Sequence, residues 1–231
     1  VKEFKELCVT ANETLQRIDK LYQSQKMFIA NASHEMQTPL AIAINNVDAI
    51  VQTDLSEEQL KYISNINKTL MRASAVNKSL LLLAKIDGNV FIEHQKIDIS
   101  EIINAILPNL QEVYSSKNVS YSVNLNTCIF DINPDLASVL VMNLIKNAII
   151  YTPNNGEIII SCGENNFSVS NSSVDNIPLD EKNIFIPFCK SMNNVNSSGI
   201  GLTLVKAICD SSNLIIKYFF ENNFHTFKIS D

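Results

Sequence analysis

Ser33-His34-Glu35-Met36-Gln37-Thr38-Pro39-Leu40 is the stretch on which the reading of this chain turns. It lies in a run where apolar residues recur at every seventh position: Leu15, Tyr22, Ile29, Met36, Ala43 and Ile50. That spacing marks a coiled-coil or bundle seam. His34 precedes Met36 by two positions, about 200° around a helix of 3.6 residues per turn, so its imidazole points away from the seam. Thr38, one turn on, shares the face of His34. Pro39 has no N–H for the carbonyl of Glu35 and costs roughly 3 kcal/mol in a helix interior, which predicts a bend beside the histidine. An acid, a hydroxyl and a costly proline around one histidine argue for a role; His94 and His225 have no such setting.

The box resembles the phosphoacceptor box of bacterial sensor histidine kinases. A neutral imidazole is the competent nucleophile, and an ordinary imidazole pKa of about 6.5 makes that the majority form at neutral pH. Attack on a γ-phosphate leaves a proton to remove, and Glu35 is the natural general base. The resemblance further implies that Glu35 and Thr38 position a water when such a kinase dephosphorylates its partner.

Composition narrows the classes. The 231 residues suit one large domain or two small ones. A net charge of −6 and a pI near 5.1, without basic clusters, argue against nucleic-acid or anionic-membrane surfaces. Cys8, Cys128, Cys162, Cys189 and Cys209 are scattered and never in a CxxC pair, which reads as free thiols in a reducing compartment. No apolar run approaches the roughly 18 residues of a membrane span. The start at Val1, without Met and in mid-helix pattern, is read as a cytoplasmic fragment. By the resemblance, the remaining N-terminal part holds the sensor and the membrane spans of an inner-membrane protein.

The pattern predicts one helix over about Val1–Gln52 and a break at Thr53-Asp54-Leu55-Ser56. A second helix follows to about Asp87, opened by a capping box at Ser56 and Gln59 and ended at Gly88-Asn89. Its seam is Ile63, Ile66, Leu70, Ala73, Leu80 and Ala84, interrupted by Asn77, a register device. A hairpin alone cannot shield seams this long, so a homodimeric four-helix bundle is expected. From about Ile97 the chain alternates short strands and helices. Strands are expected at Lys96–Ile99, Val119–Leu125, Glu157–Ser161, Phe167–Ser170, Leu214–Phe220 and Phe224–Ile229, with helices opened by Ser100, by Asn133-Pro134 and after Gly201. That order predicts an α+β multidomain chain: a helical hairpin over 1–88, a linker over 89–95, and an α/β sandwich over 96–231 with helices on one sheet face.

Asn143-Leu-Ile-Lys-Asn147-Ala-Ile-Ile-Tyr151-Thr-Pro resembles the N box of the same kinases, whose ATP-binding fold is shared with gyrase- and Hsp90-type ATPases (the GHKL type). Asn143 and Asn147 lie on one helical face, and amide oxygens are hard, neutral ligands suited to Mg²⁺. The resemblance implies that Asn147 contacts Mg²⁺, that Asn143 acts beside the phosphates, and that Tyr151 walls the adenine of ATP. Ile184-Phe185-Ile186-Pro187-Phe188 resembles the F box. Ser197-Ser198-Gly199-Ile200-Gly201-Leu202 resembles the G2 box, where glycines at a helix start let backbone N–H groups at Gly199, Gly201 and Leu202 approach phosphate. Cys189 to Ser198 is then the lid over the nucleotide.

Some positions depart from the family. Its G1 box, Asp-x-Gly-x-Gly, aligns with Asn171-Ser172-Ser173-Val174-Asp175, where Asn171 accepts from adenine without charge assistance. Ile150 and Pro187 stand where Lys and Arg are common, and Gln37 replaces the usual Arg. Lys146, Lys190 and Lys206 are the candidates for compensation. The resemblance implies autophosphorylation of His34 and transfer to an aspartate on a response-regulator receiver domain. Two alternatives read the chain otherwise: a dimeric regulator-binding scaffold or phosphatase with a decayed ATP site, and a coiled-coil structural protein, which explains only the first 88 residues.

Overall fold

The heptad stretch folds into one unbroken helix, α1 (Lys2–Val51), which runs through Pro39. Described residues of the computed structural model are 2–88, 90–91, 93–189 and 199–231, in two units, Val1–Gly88 and Asn89–Asp231. After α1, Thr53 bonds back to the Ile50 carbonyl and the chain turns into α2 (Glu57–Asp87). The capping box forms as its sequence predicts: the Ser56 hydroxyl accepts from the Gln59 N–H, and the Gln59 side chain accepts from the Ser56 N–H at 2.9 Å.

α1 and α2 pack as an antiparallel hairpin, tied by Lys26 to Asp87 at 3.4 Å. The covered side of α1 carries Lys26, Ala30, Ser33, Gln37, Leu40, Ile44 and Val47. As the length of the heptad seam predicts, the hairpin alone does not cover it. Leu15, Tyr22, Met36 and Ile50 are 65%, 52%, 53% and 44% exposed, and on α2 Ile66 is exposed as well. With Ile29 and Ala43 half-buried, most of the apolar heptad is a second face of α1, left open by the hairpin.

In the second unit, β1 (Gln95–Asp98) pairs antiparallel with β3 (Ile129–Ile132), a strand too short to stand out in the sequence. Helix α3 (Ile99–Val113) is capped by Asp98, not by Ser100 as expected. The Asp98 carboxylate accepts from the Ser100 hydroxyl and from the N–H groups of Ser100 and Cys128. Burial opposes its ionisation, but these three donors outweigh that and hold its pKa below the usual carboxylate value.

β2 (Ser120–Leu125), β4 (Glu157–Gly163), β5 (Asn166–Ser172), β6 (Ile215–Glu221) and β7 (Phe224–Ser230) form a sheet in the order β2-β4-β5-β7-β6. The β2–β4 pair is parallel and the others antiparallel. The turn between β4 and β5 takes positive φ at Glu164 and Asn165. Helix α4 (Pro134–Tyr151), opened by Asn133 as N-cap with Pro134 behind it, packs on β5; α5 (Gly201–Ser211) packs on β6, and α3 lies against α4. The core between this helical layer and the sheet holds Leu136, Leu140, Leu144 and Ile145 against Ile158, Ile160, Phe167 and Val169. Cys128, Cys162 and Cys209 are buried and unbridged, and burial pushes the Cys209 thiol up to about 12.

Candidate functional site

In the first unit, His34, Glu35 and Thr38 are all exposed on α1, while Ser33 and Gln37 beside them turn inward. The imidazole is thus presented to solvent, with the acid adjacent and the hydroxyl one turn along the same face.

In the second unit, α4 carries a half-buried stripe at Asn143, Asn147, Ile150 and Tyr151, spaced so that the four share one edge of the helix. The Asn143 Nδ2 donates to the Val139 carbonyl at 2.8 Å, which leaves Oδ1 as its outward group. That oxygen lies against the start of α5: a Cβ built on Gly201 would sit 3.2 Å from it. The N box and G2 box therefore meet. Gly199 has φ 72, a left-handed step open to glycine, and its carbonyl accepts from the Phe188 N–H at 2.8 Å. That bond joins the F box to the G2 box. Gly201 and Leu202 open α5, where free N–H groups and the helix dipole favour an anion. Residues 190–198, most of the expected lid and with it Lys190, Ser197 and Ser198, lie outside the described residues.

Asn171 is 3% exposed and faces the helical side of β5. Its Nδ2 donates to the Ser172 carbonyl at 3.2 Å, so its oxygen is the open end of the amide. The family's glycines are absent after it, and a left-handed backbone step falls instead on Asn176, φ 52. Sequence reasoning missed the neighbour of Asn171, His225, which is its cross-strand partner on β7. The Leu179 N–H donates to the Tyr218 hydroxyl at 2.9 Å, and that hydroxyl is 2.8 Å from His225 Nδ1. The hydroxyl thus bridges the Leu179 N–H and the His225 ring. Three groups thereby tether the loop after Asn171 to the sheet.

Burial lowers the His225 pKa below its ordinary value of 6.5. A lowered histidine pKa means that the unfolded chain takes up the proton more readily, so this contribution is complete above about pH 6.5 and lost as pH falls below it. The urea midpoint of the second unit is expected to fall between pH 7.5 and 5.5, and His225→Phe to flatten that slope. An unchanged slope in the variant would assign the acid sensitivity to other groups.

A second missed residue is Lys117. Its Nζ donates to the carbonyls of Ile149 and Ile150, at 2.6 and 2.8 Å, closing the last turn of α4 just before Tyr151. Lys117→Met is expected to lower stability of this unit by about 2 kcal/mol, the scale of hydrogen bonds from a charged group. Chemical denaturation measures it, and an unchanged midpoint would show that water replaces the cation. Of the lysines considered for compensation, Lys206 pairs with Asp210, and Lys146 lies exposed beside the stripe.

Residues 24–89 match the His Kinase A (phospho-acceptor) domain family. The chain is 31% identical over 210 residues to the heme sensor protein HssS of Staphylococcus saprophyticus, covering 84% of this chain and 45% of the relative. With HssS of Staphylococcus aureus it shares 29% identity over 219 residues, covering 93% of this chain and 47% of the relative. It thus spans less than half the length of these relatives. Among solved structures, full-length ShkA in complex with AMPPNP matches with a TM-score of 0.68 and 18% identity, over 87% of this chain and 44% of that one. The Acinetobacter baumannii histidine kinase AdeS matches with a TM-score of 0.58 and 19% identity, over 85% and 95%. The hairpin thus matches the phospho-acceptor domain family, and with the α/β unit that follows it the chain is similar to the core of bacterial sensor histidine kinases.

Proposed function

We propose that this chain binds ATP in its second unit and phosphorylates His34, then passes the phosphoryl group to an aspartate on a response-regulator receiver domain. The observation that carries this reading is the meeting of the N box and G2 box at Asn143 and Gly201, downstream of a solvent-facing His34. An imidazole nitrogen of His34 attacks the γ-phosphorus; the N–P bond forms, the bond to the bridging oxygen breaks, and ADP leaves. The imidazole proton passes to Glu35. Tyr151 walls the adenine and Asn171 accepts from its amino group, while Asn143 and the N–H groups of Gly199, Gly201 and Leu202 face the phosphates.

Among the described residues no group of three His, Cys, Asp or Glu side chains is placed to hold a metal. The neutral amide of Asn147 fits a Mg²⁺ that arrives with the triphosphate and takes most of its oxygens from phosphate and water. When bound, that ion neutralises phosphate charge. The open apolar face of α1, with Leu15, Tyr22, Met36 and Ile50, supports a homodimer in which a second hairpin covers it. We also read residues 1–88, 89–95 and 96–231 as bundle, linker and catalytic domain. Among the described residues no helix is long and apolar enough to cross a membrane. The share of the relatives that is matched supports a cytoplasmic segment of a longer sensor anchored elsewhere in its sequence.

The test is incubation with γ-labelled ATP and Mg²⁺, followed by a search for acid-labile, base-stable label, with a nucleotide titration beside it. Label of that kind sustains the reading. A folded protein that binds no ATP analogue at millimolar concentration and takes no label overturns it in favour of the scaffold.

A further inference from the structure

We infer that Asn77 is a positioning residue for the phosphoacceptor: its side-chain amide pins the carbonyl of Ser33 and so fixes the rotation of α1 at His34. This rests on the kinase reading above. Asn77 and Ser33 are 5% and 4% exposed, and the Asn77 Nδ2 donates to the Ser33 oxygen at 2.7 Å. Around Asn77 the covered side of α2 is otherwise furnished by Leu70, Ala73, Leu80, Leu81 and Ala84.

The bond does not rescue an orphaned backbone group. In a continuous helix the Ser33 carbonyl already accepts from the N–H of Gln37. An apolar residue at position 77 would leave nothing unsatisfied, and a buried amide at a helix seam is held at a cost in stability. What the amide gains is register: it fits one rotation of α1 against α2 and no other. Asn67, ten residues earlier on α2, shows that an amide on this helix is not tied by default, because its side-chain oxygen is buried with no partner.

Location gives the pin its consequence. Pro39 has no N–H, so the Glu35 carbonyl loses its ladder partner and the turn from Glu35 to Pro39 is the softest in this part of α1. His34 therefore sits between a fixed point at Ser33 and a soft turn. With side chains reaching about 6 Å from a helix axis, a rotation of about 20° moves the imidazole roughly 2 Å. In-line attack needs the reacting atoms about 3–3.5 Å apart, and a 1 Å misplacement can cost on the order of a hundredfold. A pin one residue upstream is well placed to hold that tolerance.

The experiment compares the parent chain with Asn77→Leu and Asn77→Gln in autophosphorylation kinetics, thermal unfolding and amide hydrogen exchange. For Asn77→Leu the expectation is a kcat lower by about tenfold or more, on the scale of such a misplacement. KM for ATP should be unchanged, the melting temperature no lower, and exchange faster only at Glu35 to Thr38. Asn77→Gln, which keeps an amide donor, should recover most of the rate. A leucine variant with the parent's kcat and exchange overturns the inference. So does one whose lost activity follows a lower melting temperature and faster exchange along the whole hairpin. If Asn77→Leu does not fold, Asn77→Ala is judged by the same criteria. An unlabelled parent overturns the kinase reading instead, and local exchange at Glu35 to Thr38 then decides the pin by itself.

Discussion

His34→Gln is expected to remain folded, to bind an ATP analogue as the parent does, and to take up no acid-labile label from γ-labelled ATP. The expected loss is more than about a thousandfold, because the substitution removes the nucleophile and not an accessory group. Structure gives little reason for collateral damage. Position 34 is exposed, glutamine is at least as good a helix former as histidine, and exposed substitutions of this kind cost within about 0.5 kcal/mol. The substitution therefore separates chemistry from folding. Circular dichroism and a nucleotide titration establish that the variant is intact, and acid lability with base stability identifies the bond as phosphoramidate. Label persisting on the variant would place the acceptor elsewhere in the chain, and the exposed box on α1 would lose its assigned role.

The sequence made that box legible because its signals are local. A proline four residues after Glu35, a hydroxyl one turn from His34 and a capping box at Ser56 and Gln59 each act within a single helical turn, where spacing translates directly into geometry. The hairpin's own contact was not legible for a related reason. α1 is apolar on more than one side, with Leu21, Phe28 and Ile42 exposed in addition to the heptad, so a period alone does not select the face that meets α2. The face used includes Lys26, Ser33 and Gln37, polar residues that a search for apolar repeats passes over. Their fit depends on particular partners, Asp87 for Lys26 and Asn77 for the Ser33 carbonyl. Those partners lie more than forty residues away.

The second unit shows the same division. Asn133-Pro134 and the alternation of β4 and β5 were readable; β3 was too short, and the expected cap at Ser100 gave way to Asp98, which the fold also brings to the Cys128 N–H. Lys117 and His225 carried no sequence signal because each acts on a segment far away or across a strand pair. The N, F and G2 boxes could be found as motifs, but that Asn143 meets Gly201 and Phe188 meets Gly199 is tertiary information.

Asn171→Leu is expected to weaken binding of an ATP analogue by about 10- to 100-fold, and Asn171→Asp, the residue common in the family, not to strengthen it. Leucine keeps the volume and removes the acceptor, so the adenine amino group would lose its partner in a buried site, at about 1–3 kcal/mol. The aspartate case turns on what the other end of the amide does. Asn171 Nδ2 donates to the Ser172 carbonyl at 3.2 Å, and in aspartate that nitrogen becomes a second carboxylate oxygen, facing an acceptor across the same gap. A charge-assisted bond to adenine would be roughly twice as strong as a neutral one. Against it stand the repulsion from Ser172 and the desolvation of a carboxylate at a position 3% exposed. These terms are of similar size, so restoring the acid alone is not a gain of function. Calorimetric titration with an ATP analogue and Mg²⁺ measures all three proteins. Tighter binding by the aspartate variant would show that Ser172 moves aside at little cost, and parent-like binding by the leucine variant would place the base away from Asn171.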